Sequence, residues 1–303
     1  MDFYKHATPL GIGNTPLIPY EEDFEADIFV KDETQNATGS IKDRPALQMI
    51  LQAEQDGLLQ PGYTIVEATS GNMGISLAYI GAKRGYRVLL TMPDTMSEER
   101  RNLLQGLGAQ LVLTEGALGM QGAVDMAEEL ASQPKHLLMR QFENPQNVQA
   151  HVVSTGEEIV NQIDNVDIFV AGIGTSGTLI GTAIKLKQAF PNCKIVGVEP
   201  ASSPIISRGE KGQHAIQGIG AGFIPSILDL CLVDEVLMID GDEAMETSRM
   251  LANTQGILAG ISAGAAVLAA KQVASRPENT GKRIVVILPD TGERYLSTEL
   301  FRQ

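Results

Sequence analysis

Cysteine is nearly absent. Only Cys193 and Cys231 occur in 303 residues, far apart and outside any C-x-x-C spacing. A disulfide framework and a structural zinc site are therefore excluded, and a reducing compartment is expected. Basic residues are scarce as well: 23 Lys and Arg face 37 Asp and Glu, a formal charge of −14. That field repels phosphate polymers and anionic membranes, so no nucleic-acid partner is expected. Local anion sites survive it, because backbone N–H groups at helix starts need no net charge. No apolar run approaches the ~20 residues of a membrane span. The opening Met-Asp-Phe-Tyr-Lys-His lacks the apolar stretch of a secretory signal. No membrane association and a cytoplasmic location follow as expectations. The four histidines, His6, His136, His151 and His214, build no H-E-x-x-H or comparable spacing, so no metal is expected.

Glycine is the one excess, with 31 residues, and it fits many tight strand-to-helix turns. The length exceeds a comfortable single core and predicts two lobes. Short β-branched runs predict strands at Thr64–Ala68, Arg87–Met92, Leu111–Thr114, Leu137–Phe142, Asp167–Ala171, Lys194–Glu199, Glu235–Ile239 and Arg283–Leu288. Between them, helices are predicted at Lys42–Gln55, Met73–Arg84, Glu98–Leu107, Met120–Ser132, Val148–Gln162, Thr178–Ala189, Glu243–Gln255 and Ala263–Ala274. This alternation implies an α/β protein of two doubly wound lobes with parallel-rich sheets. Ligands in such folds bind beyond the carboxyl ends of the strands, so the turns there carry the chemistry.

Four turns stand out. In DIFVAGIGTSGTLIG, Gly172, Gly174 and Gly177 match G-x-G-x-x-G, and Glu199 ends the following strand 22 residues after Gly177. That spacing supports a nicotinamide-binding reading and an oxidoreductase. The same loop adds the hydroxyls of Thr175, Ser176 and Thr178, which suit one terminal phosphate at a helix start. A plain glycine turn is the bland reading. In TIVEATSGNMGIS, Thr69, Ser70, Gly71 and Asn72 form a cradle for a carboxylate, or simply a capping turn. In TGSIKDRP, Ser40 can cap a helix that holds Lys42 near the positive end of its dipole. An ammonium pKa is lowered there, which favours Schiff-base chemistry; a solvated lysine is the alternative. In GISAG, Ser262 precedes a small-residue helix and reads as its N-cap. One amine nucleophile, one phosphate cup and one carboxylate cradle without a metal describe pyridoxal phosphate holding an amino acid.

On the motifs GNTPL, GSIKDR, EATSGN, TMPDTMSEER, RQFENP, GIGTSGT, QGIGAGF, GILAGISAG and ILPDTGERYLST, spread from Gly13 to Thr298, the chain resembles a known family. It is similar to the cysteine synthase / cystathionine β-synthase family of fold-type II pyridoxal-phosphate enzymes, and most so to the O-acetylserine sulfhydrylases of A type. The resemblance implies that Lys42 is the Schiff-base lysine and the base for the Cα proton. Gly174, Thr175, Ser176, Gly177 and Thr178 would hold the phosphate, Asn72 the cofactor's 3′-oxygen and Ser262 the pyridine nitrogen. Thr69, Ser70, Asn72 and Gln141 would bind the substrate carboxylate. Gln217 and Gly218, in QGIGAGF, would face the acetyl side. It also implies a smaller mobile lobe at 38–145 and a larger lobe from 1–37 plus 146–303, with the cofactor in the cleft. A homodimer is expected, with a serine acetyltransferase tail as a further partner.

Two residues depart from the family pattern. Ser176 stands where the cup usually has glycine and is expected to be tolerated. Met73 stands where the cradle usually has threonine and removes a hydroxyl from the cleft wall. The reaction implied is β-replacement on O-acetyl-L-serine, with sulfide giving L-cysteine. Homocysteine giving L-cystathionine is the alternative acceptor. A nicotinamide oxidoreductase, and a catalytically silent protein that docks a partner's C-terminal tail, are the rivals from other classes.

Overall fold

The computed structural model describes residues 2–22 and 24–302. Ten strands form two sheets. The larger sheet contains β1 (Leu17–Pro19), β2 (Asp27–Asp32), β7 (Ile168–Gly172), β8 (Lys194–Pro200), β9 (Glu235–Ile239) and β10 (Arg283–Leu288). Its order is β1-β2-β10-β7-β8-β9, and every pairing is parallel except the antiparallel edge pair β1–β2. The smaller sheet is wholly parallel, in the order β5-β4-β3-β6, from β3 (Thr64–Ala68), β4 (Arg87–Pro93), β5 (Gln110–Thr114) and β6 (His136–Leu138). The central strands β7 and β10 read as near-continuous apolar runs because helices cover both faces. The protein is thus the expected α/β protein with parallel-rich sheets.

Sequence patterning missed β1, only three residues long, and β2, whose apolar run Ile28–Val30 is bounded by Asp27, Lys31 and Asp32, and mis-sized two elements. Leu137–Phe142 is a strand only over His136–Leu138, and the chain then turns at Arg140, whose φ is +54°. Gln141 therefore lies in a loop. The predicted helix Val148–Gln162 is three pieces: Pro145–His151, a widened π turn at Val152–Gly156, and Glu157–Gln162. Such turns re-aim side chains within a helix. Here His151 faces inward to Thr155 and Thr178, while Glu158 reaches Arg44 at 2.7 Å and Lys31 at 2.7 Å.

That last cluster anchors the helix Asp43–Gln55. Arg44, fully buried, is forked between Glu33 and Glu158, with the Thr15 hydroxyl alongside. A buried charge costs several kcal/mol unless paired, and this one is paired on both sides. The start of the helix, and Lys42 with it, is held in place. The first residues pack differently from the strands that follow them. Phe3, Ala7 and Ile12 are buried with Leu47, Ile50 and Leu77 of the smaller lobe, whereas β1 and β2 join the larger sheet. Among the described residues, no helix is long and apolar enough to cross a membrane.

Candidate active site

A cleft of about 1870 Å³ lies between the two sheets. Its wall includes Lys42, Thr69, Ser70, Asn72, Met73, Gln141, Gly174, Thr175, Ser176, Thr178, Gln217, Gly218 and Ser262. Every residue that the resemblance assigns to the site is thus brought to one cavity, except Gly177, which is not on its wall.

The cup follows β7 and opens the helix Gly177–Ala189. Its glycines are demanded by close approach. A Cβ on Gly174 would lie 2.4 Å from the Gly218 carbonyl oxygen, and one on Gly177 would lie 2.0 Å from Asn147 Oδ1. Ser176 is less innocent than expected. It caps the helix at φ +76°, in the left-handed region that costs a non-glycine residue about 1–2 kcal/mol. Its hydroxyl is buried and has no hydrogen-bond partner, although buried polar atoms are normally paired. The Thr175 hydroxyl accepts from Asn147 Nδ2 at 3.0 Å, and that of Thr178 lies 3.3 Å from His151 Nε2. An orphaned hydroxyl at the positive end of a 13-residue helix, between two further hydroxyls, fits a phosphate.

The cradle follows β3. The Thr69 hydroxyl accepts from the Gly71 N–H at 3.2 Å, and Gly71 caps the helix Asn72–Arg84. Asn72 is not a free amide. Its Nδ2 donates to Asp290 Oδ2 at 2.7 Å, and its Oδ1 accepts from Arg294, which also donates to the Thr38 carbonyl. The Met73 side chain, 2% exposed, packs in the smaller core with only a small face on the cleft. It is a packing residue more than the cleft wall that its substitution for threonine suggests. Gln141 is buried, and its Nε2 donates to Glu67 Oε1 at 3.2 Å.

Lys42 is the N-cap residue of the helix Asp43–Gln55, and its N–H donates to Ser40 Oγ at 3.1 Å. Burial pushes its ammonium pKa down, and the Asp290 carboxylate opposes that shift. The direction agrees with the expectation from the helix dipole, but desolvation is the main cause. Asp290 is itself pushed up by burial, against hydrogen bonds from Tyr295 and Asn72 and the charges of Arg294 and Lys42. His151, behind the cup, is held well below the usual histidine range by burial and by the charges of Lys42 and Arg44, so it is neutral. Ser262 lies inside the first turn of the helix Ile261–Ala274, whose cap is Gly260, so the capping reading fails and its buried hydroxyl faces the cleft.

Glu199 also departs from its nicotinamide role. Its carboxylate is buried and accepts from the Ile206 and Ser207 N–H groups, both at 2.9 Å, capping a short helix. It is absent from the cleft wall. Sequence reasoning gave no role to Glu67, Asn147, His151, Asp290, Arg294 or Arg100, the last of which donates to Gln217 across the cleft mouth. Asp290 and Arg294 lie in the quoted ILPDTGERYLST, Glu67 in EATSGN and Arg100 in TMPDTMSEER, which were the available signals; Asn147 and His151 carry none. No cluster of His, Cys, Asp and Glu that could hold a metal occurs among the described residues.

A doubly wound two-lobed fold whose cleft gathers a half-buried lysine and two donor-rich turns at helix starts is that of a fold-type II pyridoxal-phosphate enzyme. Residues 8–290 match the family of pyridoxal-phosphate dependent enzymes, and the chain belongs to it. It is 52% identical to cysteine synthase A of Escherichia coli (strain K12), over 96% of this chain and 94% of that protein. It is 50% identical to the cysteine synthase of Staphylococcus aureus (strain N315), over 96% and 95% of the two chains. The crystal structure of cysteine synthase from Entamoeba histolytica superposes with a TM-score of 0.93 at 44% identity, covering 96% of this chain and 89% of that one.

Proposed function

We propose that the enzyme replaces the β-acetoxy group of O-acetyl-L-serine with sulfide, giving L-cysteine and acetate. The observation that carries this reading is one cleft holding a pKa-lowered Lys42 together with two separate anion sites, one for a phosphate and one for a carboxylate. The cysteine synthases at 50–52% identity support the substrate pair.

Bound pyridoxal phosphate supplies the electron-withdrawing system that makes the substrate Cα proton acidic. Gly174, Thr175, Ser176, Gly177 and Thr178 would hold its phosphate, Ser262 its ring nitrogen and Asn72 its 3′-oxygen, with Lys42 bearing it covalently. Thr69, Ser70 and Gln141 orient the substrate by its α-carboxylate, which sets the Cα–H bond against Lys42. The lowered pKa favours the free-amine form of Lys42 Nζ, which can take that proton as a general base and return it to Cα after sulfur adds. The Cβ–O bond breaks and a Cβ–S bond forms. A neutral Ser262 hydroxyl, unlike a carboxylate, does not drive protonation of the ring nitrogen, which favours loss of the β-group over transamination. Arg100 and Gln217 meet at the cleft mouth, where the acetyl group would lie. The reading includes closure of a smaller lobe at 38–145 over the substrate, a homodimer in the cytoplasm, and a serine acetyltransferase tail as a partner of the open cleft.

The test assays holoenzyme with O-acetyl-L-serine and either sulfide or homocysteine, in wild type and Lys42→Ala. Wild type should favour sulfide in kcat/KM, and Lys42→Ala should lose turnover while the cup still retains cofactor. A preference for homocysteine would move the product to L-cystathionine. Residual turnover in Lys42→Ala near the wild-type rate would remove the lysine from its role.

A further inference from the structure

Glu67 lies behind the cleft wall. It is the fourth residue of β3, 4% exposed, and does not line the cavity. Its Oε1 accepts from Gln141 Nε2 at 3.2 Å, and its Oε2 is buried with no partner. It forms no salt bridge among the described residues. An acid buried without a cation is costly, and burial pushes its pKa up to about 7, opposed by the Gln141 side-chain amide, the backbone N–H groups of Gln141 and Arg140, and the Arg140 charge. Core packing alone would be served better by an apolar side chain.

The surroundings of Gln141 show what the acid does. The backbone of the loop is already pinned: Asn147 Nδ2 donates to the Gln141 carbonyl at 2.8 Å and to the Thr175 hydroxyl of the cup at 3.0 Å. Only the Gln141 side-chain rotor is left to be set. A primary amide carries two N–H donors on one nitrogen and an acceptor oxygen opposite them. A carboxylate oxygen selects the nitrogen edge, because the reversed amide would bring two acceptor oxygens face to face.

We infer that Glu67 is a positioning residue for the substrate: it engages one N–H of Gln141 and so presents the other to the substrate α-carboxylate. This rests on the reading of the cleft as an amino-acid site. Glu67 never touches the substrate, and it acts through Gln141. Without it the amide is free to turn its oxygen toward the substrate carboxylate, exchanging an attraction for a repulsion.

The experiment uses holoenzyme and two readouts: calorimetric affinity for L-serine, the substrate without its acetyl group, and steady-state kinetics with O-acetyl-L-serine and sulfide. Glu67→Met retains volume and removes the acceptor. It should raise the L-serine Kd and the O-acetyl-L-serine KM by ~10-fold, the scale of one charge-assisted hydrogen bond, with kcat within ~3-fold. Glu67→Gln, whose amide offers a donor as well as an acceptor and so selects the nitrogen edge less strictly, should fall between wild type and Glu67→Met. Glu67→Met combined with Gln141→Ala should be no weaker than Gln141→Ala alone, because both remove the same contact. Wild-type affinity in Glu67→Met, or effects that multiply in the double variant, would overturn the inference. Should Glu67→Met not fold, Glu67→Asp draws the carboxylate back by one methylene and should weaken L-serine binding at least ~3-fold; unchanged affinity there overturns the inference equally. If wild type binds L-serine but fails to turn over O-acetyl-L-serine, the functional reading falls while the calorimetric comparison still judges Glu67.

Discussion

The cup and the cradle are both strand–turn–helix units, yet they are built on opposite plans. In the cup, the backbone is closely packed: Gly174 lies against the Gly218 carbonyl, Gly177 against the Asn147 side chain, and a serine is held in a left-handed conformation. Nothing there can shift without the larger lobe shifting. In the cradle, Gly71 has open space around it, its nearest foreign atom being Thr69 Oγ1 at 3.9 Å from a built Cβ. The amides that matter, Asn72 and Gln141, are set by side chains behind them: Asp290 and Arg294 for one, Glu67 for the other. On the proposed assignment, a cofactor that stays bound is matched by a rigid site, and a substrate that comes and goes by one whose donors are held by side-chain hydrogen bonds.

Alanine at the glycines should break the comparison most sharply. Gly174→Ala forces a Cβ to within 2.4 Å of a backbone oxygen, and overpacking of this kind costs about 1–3 kcal/mol. Cofactor affinity, read by titrating apoprotein with pyridoxal phosphate, should fall ~10-fold or more. Gly71→Ala has room at φ −103° and should fold and retain cofactor as wild type does. Equal losses in the two variants would erase the distinction.

A smaller effect comes from the buried acid behind the cradle. The Glu67 pKa rises from 4.5 to about 7 in the fold through burial. The native state therefore holds a proton that the unfolded chain releases, and stability present below pH 4.5 is lost as pH rises toward about 7. Arg140 is the charged group that opposes the shift. Glu67→Gln, which cannot ionise, should gain stability relative to wild type across that window, by up to ~3 kcal/mol. Denaturant unfolding of both proteins at the two ends of the window measures this. A constant difference would show that Glu67 is ionised throughout.

The smallest effect sharpens the picture of the cup. Ser176→Gly removes a side chain from a left-handed position and should stabilise apoprotein by about 1 kcal/mol or less, because glycine also loses more freedom on folding. It also removes the orphaned hydroxyl, so pyridoxal phosphate should bind a few-fold more weakly. Opposite signs in thermal unfolding and cofactor titration are the expected signature. Tighter binding in the glycine variant would mean that the hydroxyl does not meet the phosphate.

Much of the site was legible because its parts are local. Periodicity located the helices that follow the cup and the cradle, and glycine with hydroxyl residues marked the turns at strand ends. Lys42 stood out as a lysine at a helix start. Where patterning failed, a tertiary demand had overridden a local one. The helix expected at Val148–Gln162 widens at Val152–Gly156, as Glu158 meets Arg44 and His151 meets Thr178. The strand expected to reach Phe142 stops at Leu138, before the loop in which Gln141 meets Glu67. Glu199 matched the spacing of a ribose-binding acid, but two backbone N–H groups had claimed it.

Local sequence thus determined the α/β alternation, the two hydroxyl-rich turns and the lysine at a helix start, because each depends on residues within a few positions of one another. The tertiary structure alone decided which partners orient those groups. Glu67 and Gln141 are 74 residues apart, and Asn72 and Asp290 are 218 apart. No periodicity or motif links such pairs. They interact because paired strands of the smaller sheet bring Glu67 to Gln141 and the two sheets together bring Asn72 to Asp290, in surroundings dry enough that each polar group has to find a partner.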